Sequence, residues 1–220
     1  MSTPTIREQS AQLKAAAAKQ LPAAVVEVFN RDAENLLREG IPADAVKAGD
    51  RVEPFTLDDA TGNAVSLDDL VESGPAVLVF YRGGWCPYCN VALRTYQREL
   101  IPELDAFGAR LVAVSPQTPD ESLSTAEKAE LTFTVLSDPG SRVAQTLGIV
   151  FGQAEDVLAA QRELGLDLTK VNAEGSTNLP RPTVLIVDQD RTVRFVDIQP
   201  DFTARTEVAD ILAALATVRG

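Results

Sequence analysis

The stretch Trp85-Cys86-Pro87-Tyr88-Cys89 constrains this chain more than any other, because it holds both cysteines between a continuous apolar run and a helical pattern. Ala76 to Tyr81 reads as a buried strand, and after Cys89 apolar residues recur at Leu93, Tyr96, Leu100, Leu104 and Phe107 with helical spacing. The cysteines therefore fall where a central strand turns into a helix N-terminus. Free backbone N–H groups and the positive end of the helix dipole favour an anion there. From an ordinary value of about 8.5, thiols at such sites fall to roughly 3.5–7.5.

A C-x-x-C pair beside a β-α-β pattern is a redox motif: one sulfur attacks, the other closes the disulfide and releases the product. A tetrahedral zinc site needs four ligands, which one chain with two cysteines and no histidine cannot supply, so no metal is expected. A structural disulfide here would close only a tiny loop and remove little chain entropy. The lack of histidine also excludes Ser-His-Asp and Cys-His catalysis. Any general acid or base must be a carboxylate, a lysine, a tyrosine or the second thiol.

At 220 residues the chain is long enough for one large domain, and with Met1 the only methionine and Trp85 the only tryptophan its core must be aliphatic. The formal net charge of −12 argues against nucleic-acid or anionic-membrane partners, which select clustered Lys and Arg. No stretch approaches the roughly 20 apolar residues of a membrane span. The alanine run 15–18 is flanked by Lys14 and Lys19 and lacks the apolar centre of a signal peptide, so a cytoplasmic protein is expected.

Residues 1–47 read as a helical extension and 48–220 as one domain. The first helix, about 5–20, is alanine-rich and should be weakly anchored. Pro22 opens a second, with Val25, Val26, Phe29, Ala33, Leu36 and Leu37 on one face, and Gly40 ends it. Packing of that face on its own domain is the favoured reading, and a homodimer contact the other. Strands 52–57 and 64–66 form a hairpin; 110–115 is the next parallel strand, and Pro102 should kink or split the helix before it. Thr118-Pro119-Asp120-Glu121 has the form of a capped helix start. Residues 151–180 read as an insertion, with a helix at 155–164 and a polar loop at 172–178 that would overhang the cysteines. A hairpin, 183–188 with 192–196, and a helix at 206–218 close the chain.

This order resembles the thioredoxin fold, and more closely the peroxiredoxin-like proteins of the alkyl hydroperoxide reductase / thiol-specific antioxidant group. The residues carrying the resemblance are Phe80 to Asn90, Ser115-Pro116-Gln117-Thr118, Leu136-Ser137-Asp138 and Leu179-Pro180-Arg181-Pro182-Thr183 with Val187-Asp188. It implies an α/β thioredoxin-like fold with a central mixed sheet flanked by helices. Two family patterns overlay one another here. In thioredoxins the first cysteine, Cys86, is the nucleophile and Cys89 resolves. The peroxiredoxin pattern P-x-x-x-[TS]-x-x-C puts Arg82 at the proline, Cys86 at the threonine and Cys89 at the peroxidatic position. The threonine hydroxyl that holds the peroxide is thus replaced by a potential resolving thiol.

The resemblance also places Pro182 at the proline that thioredoxin-fold proteins hold in cis beside the sulfurs, with Thr183 after it. Arg181 either stabilises a thiolate, as the arginine near the start of this strand does in peroxiredoxins, or is a solvated charge. Arg82, within one turn of both thiols, should lower a thiol pKa. Trp85 should shield the pair, and Tyr88 either packs there or donates a proton. The function implied is a thiol-dependent antioxidant oxidoreductase that reduces hydroperoxides through a Cys86/Cys89 dithiol–disulfide cycle. A thiol donor, thioredoxin-like or small, restores it, and no cofactor is needed. Two alternatives stand beside it: a thioredoxin-like protein-disulfide reductase, and a non-catalytic redox sensor whose oxidation changes the docking of the N-terminal helices.

Overall fold

The computed structural model of the chain describes residues 3–218, Lys128 through its backbone alone. Helix α1 (Ile6–Gln20) starts with a reciprocal capping box between Thr5 and Glu8. Helix α2 (Ala23–Glu39) follows Pro22 and ends at Gly40, whose φ of 69° favours glycine. The alanine-rich α1 is tied down more firmly than its composition predicts. Ile6 is completely buried in the main core, and the Ile6 and Arg7 N–H groups donate to the Glu207 carboxylate at 3.0 and 2.8 Å.

The hairpin of β1 (Thr56–Asp59) and β2 (Ala64–Ser66) leads into α3 (Leu67–Val71). The sequence predicts its first strand from Val52, but the Val52 N–H donates to the Arg191 carbonyl, so the chain joins the ladder only at Thr56. Strand β3 (Ala76–Phe80) is followed by α4 (Pro87–Thr95), a π turn (Tyr96–Leu100) and α5 (Ile101–Leu104). The expected break at Pro102 is therefore present as a wide turn just before it. Proline has no N–H to donate and its ring crowds the carbonyl four residues back, so the helix widens there.

Strand β4 (Arg110–Ser115), α6 (Pro119–Ala129), β5 (Thr134–Ser137), α7 (Arg142–Thr146) and β6 (Val150–Phe151) come next. Residues 151–180, read from the sequence as an insertion, carry α8 (Glu155–Glu163), α9 (Leu168–Val171) and β7 (Leu179–Pro180), which pairs with β6. Strands β8 (Thr183–Val187) and β9 (Val193–Ile198) and helix α10 (Val208–Val218) complete the chain.

The main sheet runs β2-β1-β5-β4-β3-β8-β9. Strands β3, β4 and β5 are parallel, while β8 runs antiparallel to β3, so the sheet is mixed. Alternation along β3 splits the core. Ala76, Leu78 and Phe80 join the cluster with α3 and α7, whereas Val77, Val79 and Tyr81 join α1, α4 and α10. Both cysteines lie on this second side, at the C-terminal end of β3. There Phe80 is flanked by Val114 of β4 and Thr183 of β8.

Candidate active site

The loop between β3 and α4 is fixed before its sulfurs are considered. The Gly84 N–H donates to Oε1 of buried Gln117 at 2.7 Å, and Asn90 Nδ2 donates to the Gly84 carbonyl at 2.8 Å. A Cβ on Gly84 would lie 2.1 Å from Thr125 Oγ1, and one on Gly83 2.4 Å from the Trp85 indole nitrogen. Gly83 also has φ 145°, so both positions need glycine. Cys86 then caps α4, Pro87 occupies its first turn where no N–H is missed, and Cys89 follows one turn in.

Both cysteines are free and buried, 1% and 0% exposed. Arg205, from the segment between β9 and α10, reaches them: Nη2 is 2.8 Å from Cys89 Sγ and 3.7 Å from Cys86 Sγ. Its Nη1 donates to the carbonyls of Phe202, at 2.8 Å, and Ala204. The next residue is anchored too, since the Thr206 carbonyl accepts the Tyr96 hydroxyl at 2.7 Å and Thr206 Oγ1 donates to Asp197 at 2.8 Å.

This asymmetry separates the two thiols. Burial pushes Cys89 up, but the hydrogen bond from Cys86, the charge and hydrogen bond of Arg205 and the backbone N–H of Arg82 outweigh it and hold Cys89 well below the ordinary thiol range. Cys86 moves the other way. Burial, its hydrogen bond to Cys89 and the Cys89 charge raise it well above that range, against the pull of Arg82 and Arg205. The hydrogen bond between the two sulfurs and the Arg205 cation thus both favour negative charge on Cys89 over Cys86.

The other residues singled out from the sequence fall in different places. Arg82 is buried, its guanidinium 5.0 Å from the Trp85 ring centre and 4.7 Å from that of Phe202. Trp85 and Tyr88 are partly buried over the pair, and Tyr88 meets Phe202 edge-on at 6.3 Å. Arg181 is buried but makes no hydrogen bond to either sulfur: it lies 5.4 Å from the Phe151 ring centre and reaches Glu39 at 3.5 Å. Pro182 differs from expectation, because the described residues contain no cis peptide bond. The Arg181 N–H donates to the Ile149 carbonyl at 2.7 Å, and Thr183 begins β8 opposite Phe80. The Thr183 hydroxyl donates to the Arg181 carbonyl at 2.9 Å. The loop expected over the cysteines is tied to the turn after β4 through the Gln117–Asn172 bridge and the Ala173 N–H on the Pro116 carbonyl at 2.8 Å.

Arg205 is the site residue that the sequence reading missed. The available signal was its place, just before the last helix and after a strand that ends beside β8, but a lone arginine in a loop is ordinarily a solvated charge.

Residues 48–196 match the AhpC/TSA family profile. The chain is 27% identical over 174 residues to a putative peroxiredoxin of Mycobacterium tuberculosis, covering 79% of this chain and 99% of that protein. It is 35% identical over 105 residues to peroxiredoxin Bcp of Escherichia coli, covering 47% of this chain and 65% of Bcp. The crystal structure of peroxidoxin BcpB from Mycobacterium tuberculosis superposes with a TM-score of 0.62 at 26% identity, over 79% of this chain and 97% of that one. With a thioredoxin-like mixed sheet and paired thiols at the end of β3, the chain belongs to the AhpC/TSA family.

Proposed function

We propose that this protein is a thiol peroxidase in which Cys89 attacks the hydroperoxide and Cys86 resolves. The Cys89 thiolate attacks the terminal, hydroxyl-bearing oxygen of the hydroperoxide, and the S–O bond forms as the O–O bond breaks. The alkoxide or hydroxide leaves with a proton, and Cys89 becomes a sulfenic acid. The Cys86 thiol condenses with it, water departs, and the Cys86–Cys89 disulfide forms. Two equivalents of an external thiol reduce that disulfide, leaving as their own disulfide. The observation that carries this order is the 2.8 Å contact of Arg205 with Cys89 against 3.7 Å with Cys86. Arg82 acts here through its backbone N–H on Cys89 and by bracing Trp85.

Supporting the peroxidase over the disulfide reductase is the state of Cys86. A reductase of the thioredoxin kind attacks with its first cysteine, and here burial, the hydrogen bond to Cys89 and the Cys89 charge push that thiol well above the ordinary range while Cys89 is pulled below it. Arg181 has no such part in this reading; it serves the packing of Phe151 and Glu39. A thioredoxin-like or small thiol donor and a cytoplasmic setting complete it. No described helix is long and apolar enough to cross a membrane.

The test uses the fluorescence of Trp85, the sole tryptophan, in stopped flow. Reduced protein is mixed with hydrogen peroxide, alongside Cys86→Ser and Cys89→Ser. A rate far above that of a free thiol, kept in Cys86→Ser and lost in Cys89→Ser, is expected. The reverse pattern would give the attack to Cys86, and a rate no better than a free thiol would remove the peroxidase.

A further inference from the structure

Sulfurs that are 0–1% exposed cannot meet a reagent unless something moves. Trp85, Tyr88 and Phe202 form an inner cover, and the apolar cluster that includes them continues into α2 through Phe29, Ala33 and Leu36 and into the insertion through Leu158 and Leu168. The three α2 residues are spaced by four and three, so they share one helix face. This helix lies outside the part of the chain that matches the family profile.

Its polar attachments point to the same neighbourhood. Asp32 is half-buried, pushed up by burial and pulled down by the Arg82 charge, which places its carboxyl within electrostatic reach of the arginine over Trp85. Glu39 meets buried Arg181 at 3.5 Å, and Arg31 meets Asp156 of α8 at 2.5 Å. The Arg31–Asp156 pair is about half exposed on both sides, 50% and 48%, and such pairs hold weakly; Glu39 is 63% exposed and meets Arg181 only at the long distance of 3.5 Å. Pro22 on one side and Gly40 with Pro42 on the other bound the helix with residues that punctuate it. A helix held to the rest of the fold by one apolar stripe and few ion pairs can open without unfolding the main sheet.

We propose that α2 is a lid that selects what reaches the Cys86–Cys89 dithiol by size: small reagents enter past Trp85 and Phe202 with α2 docked, and bulky ones only when it swings away. The inference rests on the two cysteines being the reacting pair, and it holds for any thiol-directed reagent. A bulky organic hydroperoxide is accordingly turned over more slowly than hydrogen peroxide.

Alkylation of the reduced protein separates this from the peroxidase reading, because it needs no peroxide. Iodoacetamide and a fluorescein-bearing maleimide are compared on the unaltered protein and on Leu36→Ala/Glu39→Gln. The large reagent should react about tenfold faster with the variant, and the small one less than about threefold faster. An equal rise for both, or none, overturns the lid. Hydrogen exchange on the unaltered protein serves where the variant fails to fold. The α2 amides should exchange at least about tenfold faster than those of β3. Protection of α2 equal to that of β3 contradicts the proposal.

Discussion

Nη2 of Arg205 sits 2.8 Å from Sγ of Cys89, although 116 positions separate the two residues along the chain. A strand-to-helix turn presents the sulfur, and the segment after the last strand brings the cation. Removing that cation should cost the thiolate one charge-assisted hydrogen bond. Arg205→Ala is predicted to slow the reaction with hydrogen peroxide at neutral pH by roughly 10- to 100-fold, from a loss of about 1.5–3 kcal/mol. Arg205→Lys should recover part of it. Stopped-flow rates check this, and an Arg205→Ala rate within about twofold of the parent contradicts it.

The depressed pKa of Cys89 has a consequence for stability. Its folded value lies below the unfolded one, so its contribution is fully present above the unfolded thiol pKa of about 8.5 and is lost as pH falls through the folded value. Urea denaturation of the reduced protein across that window should show stability declining on acidification. Cys89→Ser should flatten that decline. An unchanged slope in the variant would mean that the shifted group is not Cys89.

Gly84 has no room for a side chain. Gly84→Ala would push a methyl into Thr125 Oγ1 and should destabilise the protein by about 1–3 kcal/mol, with a lower Tm. Adding Thr125→Ala should return part of the loss, since the hydroxyl and methyl nearest that position both go. If the second substitution only adds to the damage, close contact is not the cause.

Glu207 accepts the first two N–H groups of α1 and so fastens the start of that helix to the start of α10. Glu207→Ala should lower stability by about 1 kcal/mol and speed hydrogen exchange in α1 without altering the peroxide rate. Unchanged exchange in α1 would show that Ile6 packing alone holds the helix.

The strand, the paired cysteines and the following helix were legible because each has a local signature: an unbroken apolar run, a fixed spacing, and a repeat along the helix. The break before Pro102 was legible for the same reason. Arg205 was not, because its role arises from tertiary proximity and its own neighbours, Thr203 and Ala204, carry no pattern. Arg181, left open in the sequence between a thiolate partner and a solvated charge, shows the same dependence on tertiary contacts. It is close in sequence to Pro182 and Thr183, yet its guanidinium turns toward Phe151 and Glu39. The anchoring of α1 also escaped the sequence, since one fully buried isoleucine and a distant carboxylate do what an apolar stripe does in α2.

The most direct measurement is to trap the first oxidation product. Reduced protein, together with the two single-cysteine variants Cys86→Ser and Cys89→Ser, is given one equivalent of hydrogen peroxide in the presence of dimedone. The modified residue is then located by mass spectrometry. The account predicts a rapid dimedone adduct on Cys89 in Cys86→Ser and little on Cys86 in Cys89→Ser. An adduct that forms as fast on Cys86 would contradict the assignment of Cys89 as the attacking thiolate.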